Sequence, residues 1–527
     1  MNQPVTNLMD QDVFSTTKSW AGTVAIFAFF IMPLLVYSIL DHAPEYDELL
    51  HIMAARGLNA EGVPAIADGL YTRAALYTSL VAWMTSLGGD ELLKGRMPAV
   101  FFAMVLSAVM GFWVTRRAGW LAGFATVFVF VVAPLTLSAS VMVRFYTAHA
   151  LVVTLMLLIW FDLVASRSLS WLTRLCLLIV SIGLVWLGLQ LHELTKISIV
   201  SGLAGMTALG LHKFRRTMLN IWLARPVLVS VLLLGLFVAL MLVAWKLNVI
   251  ALLRGTLPLW SVDKANDLTY YISSLSVQLP FVWPLFPLLA VLALLDKTRL
   301  TLFCLVVFSC ALLINSLAAQ KATRYFYHAF PMLCIVWGVG LQRLVVFLGS
   351  ITQMRLGLRP CSSLMLVSTV VALCLLGTHE VKRALKLTLG RDIQDASLPV
   401  INEPDWLLAR TDIEPVLPLA DTIIVTSAVK GLFAFGRYDY ELSATVVQET
   451  ETGLEFGIDP RTGRAVISQP DSVLQVINEP GKELFVLENR MINQSYSAPA
   501  ETIYVLNSRC RVIDIEDSAS QLSAWLC

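Results

Sequence analysis

Runs of about twenty apolar residues recur along most of this 527-residue chain. A helix needs about 20 apolar residues to cross the hydrocarbon core of a bilayer, with a range of about 17–25. Such runs lie at 21–40, 98–115, 120–139, 147–165, 175–191, 197–212, 227–247, 280–295, 300–318, 329–349 and 362–378, those at 197–212 and 280–295 being short. Inside lipid every backbone amide must find a partner within the protein, so segments of this length cross as helices. The pattern predicts a polytopic α-helical membrane protein with about eleven transmembrane helices, eleven to thirteen allowing for ambiguous segments.

Composition agrees. Hydrophobic residues make up 57% of the chain and charged ones 14%, against about 45–50% and about 25% in soluble chains. The formal net charge of +1 offers nothing to bulk nucleic acid, so no nucleic-acid partner is expected. The first apolar run follows a polar N-terminus and is not succeeded by a small-residue cleavage site, so it reads as a helix that stays.

Residues 74–87 form a shorter apolar run, ended by Gly88, Gly89 and Asp90, which suits an interfacial or re-entrant helix. The distribution of basic residues supports that choice. If 74–87 does not cross, one set of loops holds Lys18, Arg116–Arg117, Arg167 with Arg174, Lys213–Arg215–Arg216, Lys297–Arg299 and Arg355 with Arg359, and is cytoplasmic. The other set, with the tail from about His379, lies outside. Six of seven histidines (His42, His51, His149, His192, His328 and His379) fall on that outer side.

The division expected is a transmembrane domain at 1–378 and a soluble domain at 379–527. The tail is rich in Asp, Glu, Ser and Thr, and reads as a small α/β domain. Asp421–Ser427 looks like a strand leading into a helix at 428–435. Further strands are expected at 463–467, 483–487, 503–506 and 512–515. Six cysteines lie in or near apolar segments, as small hydrophobes. Cys510 and Cys527 can form a disulfide if the tail faces an oxidising compartment.

Four clusters carry chemistry. Glu45-Tyr46-Asp47-Glu48 follows the first span. Asp47 can serve as a general base, its pKa raised by a neighbouring carboxylate and a partly dry site, with Glu48 orienting an acceptor or a cation. The plainer reading is a solvated acidic loop capping a helix over 49–56. Arg144-Phe145-Tyr146 offers a guanidinium for a phosphate, or a snorkelling interfacial anchor. His192-Glu193-Leu194-Thr195-Lys196 places three polar types in one turn: Lys196 for a lipid phosphate, His192 or Glu193 for substrate or metal. It lacks the second histidine of a zinc-binding HExxH. Lys321 to His328 sets Arg324, Lys321, Tyr325 and His328 at a span entrance, either to neutralise leaving-group charge or as an aromatic belt with a basic anchor. The loop 247–279, with Arg254, Trp260, Asp263, Lys264, Asp267, Tyr270 and Tyr271, can act as a lid or a connector.

The order of these motifs over about 20–350 resembles the C-type glycosyltransferases that use polyprenyl-phosphate sugars, similar to aminoarabinose transferases of lipid A, protein O-mannosyltransferases and galacturonic-acid transferases. Tyr46-Asp47-Glu48 resembles that superfamily's acidic signature. Thr72-Arg73-Ala74-Ala75-Leu76-Tyr77, Gly88-Gly89-Asp90-Glu91 and Arg96-Met97-Pro98 resemble its next stretch, and Arg144-Phe145-Tyr146 and Arg324-Tyr325-Phe326 its Arg-aromatic motifs. Asp421–Ser427 and Gly436-Arg437-Tyr438-Asp439-Tyr440 are similar to C-terminal domains of bacterial members. The chain departs where many members have Pro-Pro, here Ala74-Ala75, and Thr-Lys-Gly, here Thr195-Lys196-Ile197.

The resemblance implies a bundle of this type with periplasmic interfacial helices, in the bacterial inner membrane, its site and tail periplasmic. It implies an inverting transfer of a sugar from a polyprenyl-phosphate donor to a glycan, glycolipid or protein acceptor. Asp47, with Glu48, is the expected catalytic group. Arg73, Arg144, Lys196 and Arg324 are expected to hold the donor phosphate, and Tyr46, His192, Glu193, Lys321, Tyr325 and His328 to line the substrate. No cofactor is expected to be required, although Glu48 with His51 or His192 offers a divalent cation a place. Competing readings are a transporter or flippase for a polyprenyl-linked glycolipid, an O-antigen ligase or polymerase, and a sensor acting through the tail. A transporter would call for inverted repeats and polar groups at mid-membrane, and the chain shows neither.

Overall fold

The computed structural model describes residues 17–166, 168–215, 217, 223, 226–249, 262–389, 403–443, 457–467, 469–495, 497–515 and 520–527. Arg254 and Trp260 of the expected lid lie outside them, as do Arg167 and Arg216.

The first helix, α1 (Thr17–Val36), is followed by two shorter helices, α2 (Tyr46–Glu61) and α3 (Ala75–Ser86), with a two-stranded ribbon between them, β1 (Ala65–Ile66) and β2 (Gly69–Leu70). The bundle continues with α4 (Glu91–Ala118), α5 (Trp120–Val132), α6 (Pro134–Val141), α7 (Tyr146–Ala165), α8 (Trp171–Leu191), α9 (Thr195–Lys213) and α10 (Pro226–Lys246). It is completed by α11 (Tyr270–Gln278), α12 (Val282–Asp296), α13 (Thr298–Leu317), α14 (Phe330–Leu356), α15 (Pro360–Leu376) and α16 (His379–Thr388). Among the described residues six helices are long and apolar enough to cross a membrane, and up to nine spans result if each bent pair counts once. Helices α9 and α10 occupy the expected runs at 197–212 and 227–247 but are not among those nine, so fewer spans result than the eleven expected.

The bends have local causes. The expected span at 120–139 breaks by 63° between α5 and α6, where Ala133 is extended and Pro134 begins the next helix. Proline lacks the N–H that would continue the ladder and disfavours the helical conformation in the residue before it. Pro280 stands in the 102° bend between α11 and α12, and Gly377 in the 62° bend between α15 and α16. Small residues set the closest helix contacts. A side chain at Gly338 would strike Ala122 and Thr126, and one at Gly340 the backbone of Leu289, so α14 packs tightly on α5 and α12.

Helix α16 folds back onto the bundle. Thr388 Oγ1 donates to the carbonyl of Leu35 at 3.2 Å, and the Glu380 carboxylate accepts the Phe281 and Val282 N–H groups at 2.8 and 3.2 Å.

The tail carries a seven-stranded mixed sheet in the order β5-β6-β4-β3-β7-β9-β8. These are β3 (Thr422–Val425), β4 (Tyr440–Leu442), β5 (Gly457–Ile458), β6 (Ala465–Ile467), β7 (Glu483–Glu488), β8 (Arg511–Ile513) and β9 (Leu522–Leu526). The central strands β6, β4, β3 and β7 run parallel, and β9 and β8 add antiparallel at one edge. Three helices cover the sheet: α17 (Ala428–Phe435), α18 (Pro470–Ile477) and α19 (Ala500–Arg509). The strand expected at 503–506 is therefore helical. Pro499 caps α19 and Glu501 stands in its first turn, so helix-start chemistry outweighs the β-branched residues within. Cys510 and Cys527 form a disulfide where β8 and β9 meet.

Candidate functional site

The acidic signature becomes the first turn of α2. Glu45 is the N-cap, and its side chain accepts the Asp47 N–H at 3.1 Å. Glu48 reaches back to the Glu45 N–H at 3.0 Å. This capping box satisfies two of the free amides at the helix start. It also fixes the directions of the carboxylates, because successive helical residues face about 100° apart.

Asp47 points into a group of arginines. Arg144 Nη2 lies 3.3 Å from its Oδ2, and Arg324 Nη2 lies 2.9 Å from the same oxygen. Arg144 also donates to the Asp47 carbonyl at 3.1 Å and to the Tyr146 hydroxyl at 3.3 Å. Arg324 extends its other arm to Glu45 Oε1 at 3.3 Å. The two Arg-aromatic motifs, 180 residues apart in the chain, thus meet on one carboxylate.

The electrostatics overturn one expectation. Burial pushes Asp47 upward, but Arg144 and Arg324, aided by Arg73, outweigh it and hold the carboxyl down at about 2. The raised group is Glu45. Burial, with Asp47 beside it, pushes it up to about 7 against the pull of Arg324 and Arg144.

Glu48 faces the other way. It is fully buried and accepts from Arg96 Nε and Nη2, both at 3.0 Å, and from the Val143 N–H at 2.9 Å. His42 Nε2 lies 3.5 Å away. Arg96 further donates to the carbonyls of Leu40 and His42. The carboxylate expected to orient an acceptor is instead an anchor for α2. Its oxygens are taken up by donors, and His51 Nδ1 pairs with Thr78 Oγ1 at 2.8 Å while His51 Nε2 is buried without a partner among the described residues. Among the described residues no group of three or more His, Cys, Asp or Glu is placed to hold a metal.

Beside the arginines lies a cleft of about 370 Å3, lined among others by Arg73, Gln190, His192, Glu193, Asn315 and Tyr325. Arg73 is exposed and makes no ion pair among the described residues. Lys196 reaches Glu193 at 3.2 Å, and the Glu193 side chain is 68% exposed. His192 accepts the Leu194 N–H on Nδ1, which places any ring proton on Nε2. Burial, then the nearby arginines, push its pKa down to about 3, so it is neutral. The rings of His192, His149 and His328 follow one another at 5.7 and 5.8 Å.

Of the expected site residues, the structure gathers Asp47, Arg144, Arg324, Arg73, Tyr325, His192, Glu193 and Lys196 around the arginines and the cleft. His328 ends the histidine row, its Nε2 buried without a partner. Lys321 is buried and donates to the carbonyl of Ala265. Tyr46 turns toward the tail, under Arg461. The alanine at the Pro-Pro position has a local reason. Ala74 has φ +49°, ψ +49°, and the proline ring locks φ near about −65°. Asn315 and Gln190 join the site without having been singled out, and Glu45, named with the acidic cluster, had been given no role. Glu45 alone had a signal, the Glu-x-x-Glu spacing of a capping box.

No known family model matches the chain, and no curated protein matches it by sequence. Solved structures do. ArnT from Cupriavidus metallidurans in the apo state superposes with a TM-score of 0.58 at 13% identity, covering 96% of this chain and 98% of that one. The same protein bound to undecaprenyl phosphate gives 0.56 at 13% identity, covering 96% and 97%. The archaeal oligosaccharyltransferase AglB from Archaeoglobus fulgidus, in complex with an inhibitory peptide and a dolichol-phosphate, gives 0.54 at 11% identity over 90% of this chain and 70% of that one. At these identities the likeness is one of fold: this multi-pass membrane chain shares the fold of ArnT and AglB.

Proposed function

We propose that this protein transfers a sugar from a polyprenyl-phosphate donor to a hydroxyl-bearing acceptor, glycan, glycolipid or protein, in a single inverting displacement at the periplasmic face of a bacterial inner membrane. The observation that carries the reading is Asp47, gripped by Arg144 and Arg324 beside a polar cleft with Arg73 at its rim. The fold shared with proteins seen bound to undecaprenyl phosphate and in complex with a dolichol-phosphate supports the donor class.

The acceptor oxygen forms its bond to the anomeric carbon while the bond from that carbon to the phosphate oxygen breaks. The electron pair leaves with polyprenyl phosphate, and the acceptor proton passes to Asp47. Arg73 is free to meet the donor phosphate, with Lys196 beside it. As negative charge gathers on the leaving phosphate, Arg144 and Arg324 are drawn from Asp47 toward it. Asp47 then loses its stabilising cations and becomes basic at the moment a base is required. Cations placed where charge develops supply the larger share of such rate enhancement.

The test uses purified protein in detergent and a panel of polyprenyl-phosphate sugars, following release of polyprenyl phosphate. Asp47→Asn is expected to lower turnover by about 100- to 10,000-fold while keeping its elution volume and melting temperature. Full turnover in that variant sinks the assignment. A wild-type protein that neither binds nor cleaves any donor returns the chain to the transporter reading.

A further inference from the structure

The tail reaches back onto the loop that carries the acidic signature. The Asp68 N–H donates to the Thr462 carbonyl at 2.9 Å, and Arg464 Nε lies 2.7 Å from the Asp68 carboxylate. Gly69 and Gly463 make the approach possible, since a side chain on either would strike the opposing backbone. At the centre of this joint the Arg461 guanidinium sits over the Tyr46 ring, 5.1 Å from its centroid. Fully buried Asp459 aims it, accepting from Arg461 Nε at 2.8 Å and from the Arg461 N–H at 3.0 Å. A guanidinium held flat over an aromatic ring attracts it electrostatically and restricts its tilt.

Tyr46 and Glu48 flank Asp47 in the first turn of α2. Glu48 is fastened from the bundle by Arg96. Tyr46 is fastened from the tail by Arg461. Asp47, between them, is left one direction in which to point. We propose that Arg461 is a positioning residue for Asp47, acting through Tyr46, so that the tail is a working part of the site. The inference rests on the glycosyltransferase reading for its kinetic consequence and on the joint alone for its structural one.

The experiment uses full-length protein with Arg461→Met, Arg461→Lys, Tyr46→Leu and the Arg461→Met/Tyr46→Leu pair. Displacing a reacting group by about 1 Å costs on the order of 100-fold. Arg461→Met is therefore expected to lower kcat by about 10- to 100-fold with KM for the donor unchanged. Arg461→Lys keeps a cation over the ring and restores most of kcat. Tyr46→Leu matches Arg461→Met, and the pair is no worse than either alone, because both remove one contact. Independently of turnover, Arg461→Met is expected to speed hydrogen exchange at the amides of α2 while leaving α4 and α14 protected. An unchanged kcat with unchanged exchange in α2 overturns the proposal, as do losses that multiply in the pair. If the wild-type protein turns over no donor, the function proposed above falls, and the exchange arm still decides this inference.

Discussion

Asp47 is ionised because two guanidiniums reach it, and Glu45 holds a proton near neutrality because Arg324 and Arg144 together do not offset burial beside a second carboxylate. The pair gives the reaction a pH dependence whose sign can be worked out. Below about 7 Glu45 is neutral. Above it, Glu45 carries a charge beside Asp47, and a like charge makes Asp47 more basic. The rate is expected to rise with pH through about 7, and Glu45→Gln to flatten that limb while retaining turnover. A rise that persists unaltered in Glu45→Gln means another group titrates. The sequence displayed the acidic residues but not their division of labour. What divides them is helical rotation, together with partners 95 to 279 residues distant, Val143 for Glu48 and Arg324 for Glu45. No local spacing encodes such distances.

At the scale of elements, hydropathy was a sound guide wherever lipid decides the outcome. The apolar runs became helices, and 74–87 became the short helix α3 (Ala75–Ser86). It failed where proline or a partner strand decides. The 120–139 run is two helices because of Pro134. The strands β4 and β9 went unforeseen because three to five residues become a strand only when neighbours accept their hydrogen bonds. The start of α3 offers a test of local strain. Ala74 stands in a left-handed conformation, which costs a residue with a Cβ about 1–2 kcal/mol. Ala74→Gly is expected to raise stability by about 1 kcal/mol, read as a higher melting temperature in detergent, and Ala74→Pro to lower it sharply because φ cannot be met. A glycine variant that melts lower shows that the buried methyl matters more than the backbone.

For the whole molecule, the joint between bundle and tail was the least legible feature, because it is made by turns at 65–70 and 459–464 whose residues look like ordinary surface in one dimension. Its centre holds Glu441, buried with one carboxylate oxygen unpartnered. Burial raises its pKa, and with Asp459 added and Arg461 opposing, the value stands at about 8 against an ordinary 4.5. A group whose folded pKa is raised favours the folded state while protonated. That contribution is complete below about 4.5 and is lost as pH climbs to about 8. Alkaline conditions should therefore loosen this joint, by charging a carboxylate that is buried. Glu441→Gln keeps the shape and removes the titration. Between pH 6 and pH 9 the wild-type melting temperature is expected to fall further than that of Glu441→Gln, with the excess exchange at pH 9 confined to α2 and the strands β4 and β6. Lysines and other surface groups titrate equally in both proteins and cancel in the comparison. Parallel falls would mean that Glu441 shares its proton with a partner at every pH tested, and that the joint is held by the Asp68 and Arg461 contacts alone.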